Sequence, residues 1–231
     1  MRRLSQVALA GLLSGLLVWP AGAQTPRAKP AGQIAGPAVP APGNAQLGQL
    51  KSEDERCQEC HGHDGNANDI QDGVGNIGKF PRLAGQNADY LRKQFREFRS
   101  GKRNNEIMSV MAKTVSDADL ADIAAYFSSQ QPLSGDGKGD NPLGRKLFAE
   151  GDSARGLLPC VGCHAGREPA AVANPSLTPQ IAGQHRRYLQ KQLIEWRAGE
   201  RHNSPGDIMN STARLLSDAE IDALADYLSS L

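Results

Sequence analysis

The chain has 231 residues, 22% of them charged, and a formal net charge of +1, which excludes a disordered polyelectrolyte and a strongly basic nucleic-acid binder. Its length suits one or two compact units. Only 5% of residues are aromatic, so small domains built from this sequence have thin cores unless something other than protein supplies apolar volume.

The chain begins with a basic Met1-Arg2-Arg3, runs through Leu4 to Trp19 with only Ser5, Gln6 and Ser14 interrupting the apolar stretch, and reaches a small-x-small site at Ala21-Gly22-Ala23. This pattern predicts a secretory signal peptide over residues 1–23 and export to the periplasm. The apolar stretch is shorter than the roughly 20 residues of a spanning helix, which argues against an uncleaved anchor. Arg2-Arg3 alone is slender support for twin-arginine export. Residues 24–45 are a Pro/Ala/Gly-rich leader without periodicity, expected to be flexible and able to serve as a tether or spacer.

All four cysteines fall in two runs of one pattern, Cys57-Gln58-Glu59-Cys60-His61 and Cys160-Val161-Gly162-Cys163-His164. C-x-x-C-H is the attachment signal of a c-type haem. On a helical turn, cysteines at i and i+3 share a face and can each form a thioether to a haem vinyl group, while the adjacent His reaches the iron. A zinc ribbon would place its cysteine pairs about 15–20 residues apart, not on either side of a domain boundary. A thioredoxin-type dithiol needs a strand–helix setting, and no alternating strand is legible here. Plain disulfides would not explain why His follows both pairs.

The two halves repeat one another. Pro81-Arg82-Leu83-Ala84-Gly85-Gln86 returns as Pro179-Gln180-Ile181-Ala182-Gly183-Gln184, Tyr90-Leu91 as Tyr188-Leu189, Ile107-Met108 as Ile208-Met209, and Ser116-Asp117 as Ser217-Asp218. Two copies of one domain are predicted, at 46–131 and 142–231, joined by a turn-rich linker at 132–141. Leu91, Phe95 and Phe98, like Leu189, Leu193 and Trp196, make one helical stripe per copy. Each last helix opens at a capping box, Ser116 with Asp119 and Ser217 with Glu220. It then buries Leu120, Ile123, Ala124 and Phe127, or Ile221, Leu224, Ala225 and Leu228. The expected fold is all-α, with three to four short helices per domain packed around a covalently bound haem.

Methionine supplies the candidate sixth ligand. Met108 stands 47 residues after His61 and Met209 stands 45 after His164, each eight residues before the Ser of the last helix, whereas Met111 aligns with Thr212. Repetition at one register favours iron ligation over core filling, so the expected metal ligands are His61, Met108, His164 and Met209, with Cys57, Cys60, Cys160 and Cys163 holding the haems. Six-coordinate iron leaves no place for a substrate, so this ligand set moves electrons and catalyses nothing itself. Pro81 and Pro179, 20 and 15 residues beyond their histidines, are candidates to accept the His Nδ1–H through their carbonyls. Gln86, Gln184, Tyr90, Tyr188, Arg99 and Arg197 recur in register and suit either haem propionates or packing. His63, His185 and His202 have no repeat partner and are expected on surfaces or loops.

These motifs resemble the dihaem cytochrome c4 family, two class I cytochrome c domains in tandem, across residues 46–231. The resemblance implies a periplasmic shuttle with two covalently bound haem c groups, often associated with the membrane. It would pass electrons from a quinol-oxidising complex towards a haem-copper terminal oxidase or another acceptor. The Pro/Ala-rich leader and the extra residues Asn68 to Lys79 depart from that pattern. Alternatives are an electron-relay subunit of a larger dehydrogenase and a dihaem peroxidase, the latter disfavoured by the symmetric methionines. Domain one carries 11 basic and 13 acidic residues and domain two 10 of each, so partner docking is expected to rest on a small apolar patch rather than one charged field.

Overall fold

The computed structural model describes residues 43–67, 79–132, 134–135, 137, 140–164 and 177–231. The signal-peptide segment, most of the leader, and the extra residues 68–78 of the first haem loop lie outside the described residues. Both repeats belong to one unit, Pro40–Leu231.

Domain one contains α1 (Ala45–Asp54), α2 (Gln58–His61), α3 (Ala88–Ser100), α4 (Met108–Met111) and α5 (Asp117–Ser129). Domain two repeats them as α6 (Pro142–Glu150), α7 (Val161–His164), α8 (Arg186–Ala198), α9 (Ile208–Arg214) and α10 (Asp218–Ser230). Each domain thus has three helices of nine or more residues and two shorter ones, and the described residues form no strand beyond one isolated bridge between Asp152 and Leu157. Among the described residues no helix is long and apolar enough to cross a membrane.

The opening and closing helices of each domain cross closely, and glycine permits it. A Cβ on Gly48 in α1 would stand 2.0 Å from the Asp122 carbonyl oxygen of α5, and one on Gly144 in α6 would stand 2.0 Å from the Ala223 oxygen of α10. Asn44 caps α1 by accepting from the Gln46 and Leu47 amides at 2.9 and 3.1 Å, and Asn141 caps α6 through the Gly144 amide at 3.1 Å with Pro142 at the first turn. Lys51 in α1 then pairs with Asp119 and Asp122 of α5.

The last helices bury the residues their spacing predicts. Leu120, Ile123 and Phe127 join Val115 and Tyr126 in one cluster, with Leu91 and Phe95 of α3 packed against it. Ile221 and Leu224 join Leu147, Leu157 and Leu216, while Ala225 and Leu228 pack with Leu189 of α8. Ser217 and Glu220 form a complete capping box. In domain one Ser116 caps the Asp119 amide, but the shorter Asp119 side chain returns only to the Ser116 hydroxyl and to Lys51, so that box is half closed.

The two domains meet along a polar seam that follows the repeat. Arg82 donates its amide to Gln184 Oε1 at 2.8 Å and accepts from Gln184 Nε2 at 3.0 Å; Gln180 and Gln86 make the same reciprocal pair at 2.9 Å in both directions. At the centre, Arg103 reaches Gln94, Tyr188 and Gln192, while Arg201 reaches Gln192, Tyr90, Gln94 and Asn203. Each guanidinium also lies over an aromatic ring, Arg103 over Phe98 at 4.6 Å and Arg201 over Trp196 at 4.3 Å.

His185 corrects one expectation. Instead of lying open to solvent it is 8% exposed at the residue before α8, and places Nε2 3.2 Å from the Asn66 carbonyl of domain one. Burial, and then the nearby Arg82 charge, hold its pKa below the usual imidazole value, so the neutral ring is favoured there. His63 and His202 are exposed.

The glycine crossing gives a stability prediction. Gly144→Ala should force α6 and α10 apart and cost about 1–3 kcal/mol in the unfolding free energy of the holoprotein, measured by denaturant titration. An unchanged midpoint would show that the crossing can relax without strain.

Candidate haem-binding sites

Each C-x-x-C-H run folds into a single helical turn, with the backbone of His61 donating to the Cys57 carbonyl at 3.1 Å and that of His164 to the Cys160 carbonyl at 2.9 Å. The turn therefore puts each cysteine pair and its histidine within one short segment. None of the four cysteines is paired in a disulfide, and all are of intermediate exposure. Cys57 packs against the domain-one core and Cys160 against the domain-two core. Burial pushes the Cys57 thiol up to about 11 and also raises Cys160 and Cys60.

Both histidine rings are fixed through one nitrogen. His61 Nδ1 lies 3.0 Å from the Pro81 carbonyl oxygen, and His164 Nδ1 lies 2.9 Å from that of Pro179. The carbonyl can only accept, so Nδ1 carries the proton and Nε2 keeps its lone pair. Burial lowers the pKa of both rings, partly offset by those carbonyls, which favours the neutral imidazole that binds metal.

Met108 opens α4 and Met209 lies in the first turn of α9, both of intermediate exposure. Asn105 Oδ1 accepts from the Ile107 and Met108 amides at 3.1 and 2.9 Å. The Met209 amide reaches Ser204 Oγ at 3.2 Å. Arg99 ties α3 to the segment beyond Met108, donating to the Ala112 and Val115 carbonyls and pairing with Asp117; Arg197 does the same with Leu216 and Asp218. These arginines, together with the Gln and Tyr residues of the seam, are engaged with protein partners, which favours packing over propionate binding.

Sequence reading missed Arg103 and Arg201. The signal was present, since Gly101-x-Arg103-x-Asn105 returns as Gly199-x-Arg201-x-Asn203 at the same offset as the Pro81 and Pro179 elements.

The donor chemistry of each half fits a covalently attached haem: two thiols on one helical turn, a neutral imidazole with Nε2 available, and a thioether on a separate short helix. Among the described residues no three His, Cys, Asp or Glu side chains gather into another metal-holding cluster.

A family model described as cytochrome c matches residues 45–131 and 143–231, which makes the chain a tandem of two cytochrome c domains. It is 40% identical over 197 residues to a cytochrome c4 of Pseudomonas aeruginosa, covering 83% of this chain and 90% of that one. The crystal structure of reduced recombinant cytochrome c4 from Pseudomonas stutzeri superposes with a TM-score of 0.70 at 38% identity, over 82% of this chain and 99% of that chain. A thiosulfate dehydrogenase electron acceptor of Stutzerimonas stutzeri is 37% identical over 179 residues, covering 76% of this chain and 78% of that one. The chain belongs to the dihaem cytochrome c4 family, and with it come two covalently bound haem c groups and a role in electron transfer.

Arg155 secures the segment that leads into Cys160. It pairs with Asp152 and Glu220 and donates to the Leu215 carbonyl at 3.0 Å, joining that segment to the start of α10. Its hydrogen bond, with help from Ser217, lowers the Glu220 pKa from 4.5 to about 2. A carboxylate with a depressed folded pKa stabilises above its unfolded pKa and loses that stabilisation as the pH falls through the folded one. Glu220→Gln should therefore cost about 1 kcal/mol at neutral pH, the pair being partly solvated. The difference from the parent protein should shrink between about pH 4.5 and 2. Denaturant titrations of both proteins across that range measure it, and a pH-independent difference would contradict the assignment.

Proposed function

We propose that the protein is a periplasmic carrier whose two irons are each held by one histidine and one methionine, His61 with Met108 and His164 with Met209. In this reading Cys57 and Cys60 bind one haem and Cys160 and Cys163 the other. The observation that carries it is the matched histidine geometry, Nδ1 at 3.0 and 2.9 Å from the Pro81 and Pro179 carbonyls, with a methionine at the same register in each repeat. Each iron, when bound, exchanges one electron between its ferrous and ferric states.

The chain supplies orientation and environment. The proline carbonyls fix the imidazole tautomer and ring direction, so little rearrangement accompanies a change of iron charge. A thioether favours the reduced iron, and an apolar surround does the same by disfavouring the additional charge of the oxidised state. His61 with Met108 and His164 with Met209 would leave neither iron a free position for peroxide, which separates this reading from a peroxidase.

The organisation that accompanies it is a signal peptide at 1–23, a leader at 24–45, domains at 46–131 and 142–231, and a linker at 132–141. The proposed donor is a quinol-oxidising complex and the proposed acceptor a terminal oxidase or another redox protein, with the leader available for peripheral membrane association. A second reading, a relay for a dehydrogenase, is supported by the relative named as a thiosulfate dehydrogenase electron acceptor.

Met108→Ala and Met209→Ala test the ligand set. Each should remove about half of the sulfur-to-iron absorption of the oxidised protein, open one haem to cyanide, and lower the potential of that haem alone. Cyanide and redox titrations unchanged by either substitution would remove that methionine from the iron.

A further inference from the structure

The two methionine turns occupy the same place in the repeat, yet they are held differently. In domain one, Asn105 caps the turn with two hydrogen bonds to backbone amides, one of them from Met108. Its counterpart Asn203 performs no such service. It is 2% exposed and drawn into the seam, donating to Gln94 at 2.9 Å and Glu97 at 2.5 Å and accepting from Arg201 at 3.0 Å. Domain two inserts Ser204-Pro205-Gly206 ahead of its methionine, and Gly206 and Asp207 both take left-handed backbone angles, φ 60° and 53°. That turn has the single Ser204 hydroxyl, at 3.2 Å, as its cap to the Met209 amide.

A second anchor stands beside the methionine. Asn210 is 3% exposed, and its Nδ2 donates to the Trp196 and Arg201 carbonyls, both at 2.8 Å. Its Oδ1 finds no donor among the described residues, so the hold passes entirely through the NH2 group. The first carbonyl lies in α8, and the second belongs to the residue whose guanidinium reaches Tyr90 and Gln94 of domain one. The repeat equivalent, Ser109, has only a local bond among the described residues, accepting from the Asn105 amide at 3.2 Å.

We infer that Asn210 is the positioning residue of Met209: where domain one holds its turn by the Asn105 cap, Asn210 anchors the turn of domain two through its NH2 group and ties it to the interface with domain one. The inference rests on the proposal that Met209 binds iron. It implies that the two iron–sulfur contacts depend on different side chains, one on a local cap and one on a buried carboxamide.

Asn210→Asp is the direct test, because it keeps the shape and removes both donors. Cyanide titration of the oxidised holoprotein, followed through the sulfur-to-iron absorption, should show binding about tenfold or more tighter at one haem and unchanged at the other. The potential of the same haem should fall. Asn210→Ser, which retains one donor, should give a smaller change in the same direction and serves if the aspartate variant does not fold. Ser109→Ala should leave both haems as they were. Gly144→Ala controls for lost stability, since it loosens domain two without touching the turn and should not alter cyanide binding.

Equal opening by Gly144→Ala would reduce Asn210 to a general stabiliser and overturn the inference. Unchanged cyanide binding in both Asn210 variants would overturn it as well. If Met209→Ala opens a haem while the Asn210 variants do not, this inference fails alone; if Met209→Ala opens none, the ligand assignment fails and takes this inference with it.

Discussion

A hydrogen bond from an imidazole Nδ1 to a proline carbonyl, made once in each domain, is the constraint on which the site depends. It commits Nδ1 of His61 and His164 as the donor, while burial favours the neutral ring, so Nε2 keeps the lone pair that the proposed iron contact needs. The carbonyls lie 20 and 15 residues further along the chain, so the bond also fixes where the loop after each attachment motif must return. The sparse aromatic content fits this design. Each domain packs a few short helices closely enough to need glycine at the α1–α5 and α6–α10 crossings, and the haem supplies the remaining apolar volume.

The seam between the domains is polar where a core would be apolar. Side-chain carboxamides of Gln86 and Gln184 replace the backbone pairing that a sheet would provide, each satisfying one amide and one carbonyl of the opposite domain. Arg103 and Arg201 are buried there at 8% and 6% exposure, and their donors are met by carboxamide and phenol oxygens. Such a network fixes one relative placement of the domains, because an unmet donor in a buried position is costly. The repeat symmetry is broken at Asn105 and Asn203, where two copies of one position have taken different tasks. At Asn87 and His185 the residue type differs but the task is shared, since each reaches a carbonyl of the opposite domain.

Much of this was legible from residues alone. The C-x-x-C-H runs, the methionines and the serine caps recur at nearly constant offsets, and repetition separates a functional residue from a chance one. The stripes of α3, α5, α8 and α10 followed from helical spacing. The first helix of domain one was harder to see, since α1 has weak amphipathic character and packs through a glycine instead of a large apolar side chain. Arg103, Arg201 and the buried position of His185 escaped for a related reason. A charged residue reads as surface unless its partners are known, and those partners come from the other domain. The Gln86 and Gln184 pair shows the limit of repetition as a signal, which marks a position as constrained without saying whether haem or protein constrains it.

Carrier function requires that neither iron have a vacant axial position. Low-temperature electron paramagnetic resonance of the fully oxidised holoprotein, with near-infrared magnetic circular dichroism on the same sample, reads the axial ligands of both centres at once. Two low-spin ferric haems, each with a sulfur-to-iron transition, are expected. A high-spin centre, or a bis-imidazole signature at either haem, would contradict histidine–methionine ligation of both irons.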